Sequence, residues 1–248
     1  MEGLTKQNII NALRKEIWQL QGLPVQDWER DIWNGGLAAL ADSLPYGALP
    51  LAAVHEFISP TAACATATNG FIAALLLSLM KNNKPCLWVS TQRSLFPPGL
   101  TAFGIAPHDI IFIDVRKDKD ALWVMEQALQ CNALAAVVAE LGELSFAQSQ
   151  RLQLVVETSS VTGLLHRKRP RNLHNLACVS RWRIKPIASM VEHTLPGLGF
   201  PAWEVRLEKM RGGRPGLWHL GWQNSRFVAL SQAQNQTQPD LQISEHYA

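Results

Sequence analysis

The stretch that most constrains this chain is residues 54–83, VHEFISPTAACATATNGFIAALLLSLMKNN. It begins with a short apolar run typical of a buried strand, passes through a turn of small residues and continues as a long amphipathic helix. A turn between such a strand and helix is where a phosphate-binding loop lies. This stretch therefore decides whether the chain carries nucleotide chemistry.

A phosphate-binding loop follows the pattern G-x-x-x-x-G-K-[ST]. Its glycines let backbone N–H groups surround the phosphates, its lysine reaches the β- and γ-phosphates, and its hydroxyl binds magnesium. The same eight positions here run from Ser59 to Thr66, and only the final hydroxyl is kept. Cys64 stands at the second glycine and Ala65 at the lysine. We therefore expect a degenerate nucleotide loop that has become a packed turn and does not support ATP hydrolysis.

After this stretch the chain alternates between apolar runs and helical patterns, which indicates an α/β fold with a mostly parallel sheet flanked by helices. The runs IIFID and LAAVVAE are almost continuously apolar, as expected for strands covered on both faces. Later in the chain, apolar residues recur at every second position. This pattern predicts an antiparallel C-terminal hairpin with strands at 203–210 and 217–222. The other predicted strands are 54–58, 86–90, 110–114, 134–140, 162–166 and 177–184, and the predicted helices are 69–81, 100–104, 118–131 and 146–159.

The chain has 248 residues, of which 47% are hydrophobic and 17% charged, so it is long enough for one large core. Its net charge of +3 means that binding to nucleic acid would depend on a local cluster of cations. The four cysteines lack the C-x-x-C spacing of a zinc site, and neither a metal nor a cofactor is expected. The longest apolar run, 72–80, is shorter than the roughly 20 residues of a membrane span. We expect a cytoplasmic protein without membrane contact.

The N-terminal segment, residues 1–24, is predicted to form an amphipathic helix that precedes a core domain at 35–228. Its apolar side chains recur at helical spacing. The helix either folds back on its own domain or docks on a partner. The residues that would make this contact are Ile9, Leu13, Ile17 and Leu20.

The C-terminal tail, residues 231–248, is polar and rich in glutamine, so we expect it to be disordered. Within it Gln238, Leu241 and Ile243 match the loose pattern Q-x-x-L-x-aliphatic with which polymerase partners bind the sliding clamp. In a tail so rich in glutamine, this pattern also arises easily by chance.

A basic cluster follows the predicted strand TGLLH. Arg167, Lys168, Arg169 and Arg171 are expected to lie on a loop at the carboxyl end of that strand. Clustered cations bind phosphate backbones through counterion release, which gives affinity that is independent of sequence and sensitive to salt. The cluster is interpreted either as a site for single-stranded DNA or as a solvated surface loop.

The order of these parts resembles the RecA-like core. Leu44-Pro45-Tyr46-Gly47 stands before HEFI as an L-P-x-G sequence precedes the phosphate-loop strand of recombinases. The resemblance covers residues 35–228. The segments HEFISPTAA, CLWVSTQRSLFPPGLTAFGI, AAVVAELGELSF and WEVRLEKMRGGRPGLWHLGW are similar, in this order, to the ImuA family. The proteins of this family are RecA-like accessory factors of a damage-induced, error-prone translesion synthesis cassette in bacteria.

The resemblance also implies roles for single residues. Gln92 stands where active RecA-like ATPases carry the acid that positions the attacking water, and glutamine cannot accept the proton of that water. Glu140 stands at the aspartate that ends the magnesium-binding strand. Lys209 and Arg211 occupy the place where RecA presents two basic residues to the neighbouring protomer, and they are interpreted either as a surface that docks on a RecA-type protomer or as a charged rim of the hairpin. These positions together imply that no residue is catalytic and that partner-binding surfaces are retained.

The implied function is that of a non-catalytic factor in SOS mutagenesis and DNA repair. Its implied partners are RecA, the Y-family-like polymerase homologue of the cassette and an error-prone replicative-type polymerase, with single-stranded DNA as a further candidate. One alternative is an ATP-dependent RecA paralogue, against which Ala65 argues. Another is a SulA-like inhibitor of cell division, which is disfavoured by the length of the chain, the basic cluster and the C-terminal hairpin.

Overall fold

The computed structural model describes residues 37–80, 84–189 and 199–230. The predicted N-terminal helix and the C-terminal tail lie outside these residues. The α-helices are α1 Ala62–Leu79, α2 Asp118–Leu129 and α3 Phe146–Ser159, and short 3-10 helices cover Leu37–Ser43, Pro45–Gly47, Pro97–Phe103 and Pro107–Asp109. The strands are β1 Val54–Ser59, β2 Cys86–Ser90, β3 Ile110–Asp114, β4 Ala136–Leu141, β5 Thr162–Lys168, β6 Ser180–Pro186, β7 Ala202–Met210, β8 Gly216–Gln223 and β9 Arg226–Ala229.

These strands form one sheet in the order β3-β2-β4-β5-β1-β6-β7-β8-β9. The pairings from β3 to β6 are parallel, and the pairings from β6 to β9 are antiparallel. Ser59 lies beside Lys168, and Ser90 lies beside Glu140. The carboxyl ends of β1, β2, β4 and β5 therefore meet at one edge of the sheet. The predicted α/β fold, with its antiparallel C-terminal strands, is confirmed.

Helix α1 packs on one face of the sheet, and α2 and α3 pack on the other. The face under α1 is aromatic: Phe71 contacts the rings of Phe57, Trp203 and Phe227. By length and composition α1 would suffice to cross a membrane. Its apolar residues from Phe71 to Leu76 are buried inside the fold, however, as expected for a helix of a protein core.

Several predicted boundaries were wrong, and the largest error concerns the start of α1. The helix begins at Ala62 rather than at residue 69. Thr61 caps it, because its Oγ1 accepts a hydrogen bond of 3.2 Å from the N–H of Cys64, and the small residues that follow include strong helix formers. Strand β5 continues to Lys168 rather than ending at residue 166, and β9 was not predicted. The residues of the predicted phosphate loop thus lie largely in regular structure, and Arg167 and Lys168 of the predicted basic loop lie in β5.

Candidate functional site at the carboxyl edge of the parallel sheet

The turn between β1 and α1 contains only Pro60 and Thr61. At the end of β1 the buried hydroxyl of Ser59 forms hydrogen bonds with Thr68 Oγ1 at 2.8 Å and with His166 Nε2 at 2.9 Å. The hydroxyl of Thr66 donates to the carbonyl oxygen of Ala62 at 3.2 Å, within its own helix. The hydroxyls of Ser59 and Thr66, at the two ends of the predicted phosphate loop, thus form hydrogen bonds with other groups of the protein.

His166 lies at the centre of this edge and is fully buried. Burial, and to a smaller extent the nearby ammonium of Lys168, lowers the pKa of His166 from its ordinary value of 6.5 to about 3. The imidazole is therefore neutral at physiological pH. It fixes the end of β1 against β5 and does not add a positive charge to the site.

Glu140, at the position of the magnesium-binding aspartate, is buried and neutralised by the chain's own lysine. Its Oε2 accepts a hydrogen bond from Lys168 Nζ, and its Oε1 accepts one of 2.9 Å from Trp88 Nε1. Burial raises the pKa of Glu140, while Lys168 and the bonds from Trp88 and Asn69 act to lower it. The carboxylate is thus held by three side chains, one of which forms an internal ion pair with it.

The basic cluster divides into two internal and two exposed residues. Arg167 is fully buried and donates to Glu56 Oε1 at 2.9 Å, to Glu143 Oε2 at 3.3 Å and to the carbonyl oxygen of Asn172 at 2.9 Å. Lys168 is bound to Glu140. Arg169 and Arg171 are exposed just beyond β5. Two of the four predicted DNA-binding cations therefore have structural partners, and two face solvent.

Sequence reasoning missed three further cations on this edge. Arg116, Lys117 and Lys119 are exposed after β3, which lies three strands, or about 14 Å, from β5 along the sheet. Lys119 and Arg171 line the same concave surface. Knowledge of the strand order would have identified these cations, because it brings the carboxyl ends of β3 and β5 to one edge of the sheet. We call Arg116, Lys117, Lys119, Arg169 and Arg171 the cationic edge.

Of the remaining predicted site residues, one lies on this edge, two lie at the end of β7 and the others lie outside the described part of the chain. Gln92 is exposed just after β2. Lys209 donates to the carbonyl oxygen of Leu176 at 3.1 Å, and Arg211 is half-buried after β7. The predicted partner-binding and clamp-binding residues, Ile9, Leu13, Ile17, Leu20, Gln238, Leu241 and Ile243, lie outside the described residues.

Comparison with known proteins places these features in a family. No model of a protein family matches the chain. The chain is 34% identical over 197 residues to the protein ImuA of two Caulobacter vibrioides strains, NA1000 / CB15N and ATCC 19089 / CIP 103742 / CB 15, and the match covers 75% of this chain and 81% of those relatives. The chain belongs to the ImuA family. The family predicted from the sequence is thereby confirmed.

The fold of this ImuA-family chain also matches a solved structure. The crystal structure of the RadB recombinase superimposes on it with a TM-score of 0.54 and 15% sequence identity, over 81% of this chain and 100% of that chain. The RecA-like fold is thus shared. In this ImuA-family member, the edge where such folds bind ligands at the carboxyl ends of parallel strands holds the buried Glu140–Lys168 pair and the cationic edge.

Proposed function

We propose that this ImuA-family chain is a non-catalytic accessory factor in damage-induced, error-prone translesion DNA synthesis. The observation that carries the proposal is the ion pair between Lys168 and buried Glu140. A carboxylate that serves magnesium and nucleotide must be free to face them. Here an ammonium from β5 neutralises it, and the two-residue turn of Pro60 and Thr61 offers few backbone donors for a phosphate.

The proposed activity is to bring proteins together. The chain would bind RecA, or RecA on single-stranded DNA, together with the Y-family-like polymerase homologue of the cassette. It would thereby recruit the error-prone replicative-type polymerase to lesions, in the cytoplasm and without a cofactor. Membership in the ImuA family supports this proposal, and the cationic edge provides a surface for a polyanionic strand.

The immobilised protein should be exposed in parallel to RecA, to the Y-family-like homologue and to the tubulin-like cell-division protein. The last of these is the protein that a SulA-like inhibitor would bind. Saturable binding of RecA or of the homologue, with no binding of the division protein, is the expected result. Binding of the division protein alone would replace the repair function with the SulA-like one.

Calorimetry of the purified chain with ATP and magnesium should show no saturable binding. The physical reason is that Ala65 supplies no lysine ammonium and that Glu140 is already paired. A RecA protein measured in the same buffer provides the positive control. Micromolar affinity for ATP, or hydrolysis above the buffer rate, would favour the ATP-dependent paralogue instead.

The double substitution Arg169→Ser and Arg171→Ser should weaken salt-dependent binding of single-stranded DNA without unfolding the protein. Two lost phosphate contacts would reduce the slope of log K against log salt by about 1.4 for a single strand. The matched control is Arg206→Ser with Arg226→Ser, which removes two exposed arginines from β7 and β9. Fluorescence anisotropy with labelled oligonucleotide checks both variants, and an unchanged slope in the first would remove these arginines from the DNA contact.

A further inference from the structure

A cleft of about 650 Å³ opens beside the start of α1 and is lined mainly by apolar side chains. One wall is the helix face of Ala63, Thr66 and Gly70, and the other walls come from the segment after β2 and from the start of β7, including Phe96 and Trp203. Its volume lies within the range of about 300–1,000 Å³ that is typical of ligand sites. Phe96, at the opening, is 70% exposed.

Asn69 lines the cleft and lacks a donor for its carbonyl oxygen. The residue is 4% exposed, and its Oδ1 has no hydrogen-bond partner among the described residues. Its Nδ2 donates to Ser94 Oγ at 3.3 Å and also bonds with the carboxylate of Glu140. The carboxylate of Glu140 can only accept a hydrogen bond, so the atom of Asn69 that faces it is the donor Nδ2. This assigns the two ends of the Asn69 amide and leaves Oδ1 as the unpaired atom. A buried acceptor without a donor is unfavourable, and an incoming N–H group would remove that cost.

Ser94, next to Asn69 in the cleft, has a hydroxyl hydrogen without an acceptor in the described part of the chain. Its Oγ accepts hydrogen bonds from Lys168 Nζ at 2.7 Å and from Asn69 Nδ2 at 3.3 Å. These two bonds occupy the acceptor positions of the hydroxyl, so its own hydrogen is left to donate. The cleft therefore presents an acceptor on Asn69 and a donor on Ser94 side by side.

The absence of charge on the described lining residues limits the kind of ligand that the cleft can bind. None of the described residues that line the cleft carries a charge. The nearest cation, Lys168, bonds Ser94 but is already paired with Glu140, so a phosphate or carboxylate buried here would lack a free cation, which is strongly unfavourable. The occupant that enters the cleft is therefore uncharged, apolar in its bulk, and equipped with an N–H beside a C=O, which is the composition of a peptide group next to a hydrophobic side chain.

We propose that this cleft binds an apolar peptide segment of a partner protein. A large apolar side chain of that segment enters the cleft beside Ala63 and Thr66. A backbone N–H beside it donates to Asn69 Oδ1, and a backbone carbonyl accepts from Ser94. This contact uses no residue of the cationic edge, so it holds whether or not the chain binds DNA.

The probe for the test is N-acetyl-L-phenylalanine methylamide, titrated into the full-length protein and followed by ¹H–¹⁵N chemical shifts. We expect saturable shifts at the indole of Trp203 and the side-chain amide of Asn69, with a dissociation constant of about 1 mM for so small a ligand. The analogue methylated on both amide nitrogens lacks the donors and should bind about tenfold more weakly.

Ala63→Leu should abolish the shifts, because the exposed Ala63 lines the cleft and leucine is a good helix former. The matched control Ala62→Leu adds the same side chain at the neighbouring exposed position, outside the cleft lining, and should bind the probe as the parent chain does. Absence of saturable binding, or equal binding in the Ala63 variant, overturns the proposal. Tighter binding of adenosine than of the amide would also overturn it and make the cleft a nucleoside site.

Discussion

Replacing Glu56 by glutamine is expected to destabilise the fold by about 3–5 kcal/mol, among the largest effects of any single substitution in the sheet. Glu56 is 1% exposed and pairs with Arg167 at 2.9 Å and with Arg181 at 2.7 Å. Arg167 is fully buried, and without Glu56 its guanidinium keeps only the longer pair of 3.3 Å with Glu143, whose side chain is 44% exposed. For a domain of this size the midpoint of thermal unfolding should fall by about 10 °C.

The control for this prediction is Glu208→Gln. Glu208 pairs with Arg183 at the same distance of 2.7 Å, but the two side chains are 26% and 31% exposed. Water partly solvates both charges there, so we expect a loss of about 1 kcal/mol or less. Urea denaturation followed by tryptophan fluorescence measures both variants. Equal losses would show that the Glu56 pair adds nothing beyond an ordinary surface pair.

The second large effect is expected for Lys168→Met, which removes the ammonium from Glu140. At pH 8 the variant should be less stable than the parent chain by about 2–4 kcal/mol, because a buried carboxylate then lacks its cation. Burial already raises the pKa of Glu140, and the loss of Lys168 raises it further. The folded state then keeps a proton on Glu140 at pH values where the unfolded chain has lost it.

The sign of the pH dependence follows from this proton. Between the unfolded pKa and the raised folded pKa, the folded state binds more protons, so the free energy of unfolding falls as pH rises through that window. The deficit of Lys168→Met should therefore shrink as the pH is lowered from 8 toward the unfolded pKa of Glu140. Adding Glu140→Gln to the variant should remove this trend. A deficit that does not change with pH would mean that Glu140 is not the group left unpaired.

The sheet was predictable from the sequence because its strands are apolar and bounded by clear breaks. Strands Cys86–Ser90 and Ile110–Asp114 have their predicted limits, and so does helix Phe146–Ser159. The last strand was missed because RFVA is four residues long and joins β8 through a tight turn at Asn224 and Ser225, both with positive φ. Such a short strand carries no periodicity of its own.

The candidate site was less predictable, since charges in a sequence do not reveal their partners. Arg167 and Lys168 look identical to Arg169 and Arg171 in the run HRKRPR. What separates them is the parallel pairing of β5 with β1 and β4, which places Arg167 within reach of Glu56 and Lys168 within reach of Glu140. The partners are 111 and 28 residues away in the chain. Only the strand order supplies this information.

The two-residue turn before α1 also leaves little room for a phosphate loop at this site. Cys64→Gly and Ala65→Lys would supply the second glycine and the lysine of a phosphate loop. Both would then stand within a helix that already began at Ala62 and is capped by Thr61. Building a phosphate loop here would require the first helical turn to unwind and Lys168 to release Glu140 at the same time, and each of these steps alone lowers stability. Substitutions within the loop alone would therefore not create a nucleotide site, because the start of α1 and the ion pair would have to change together.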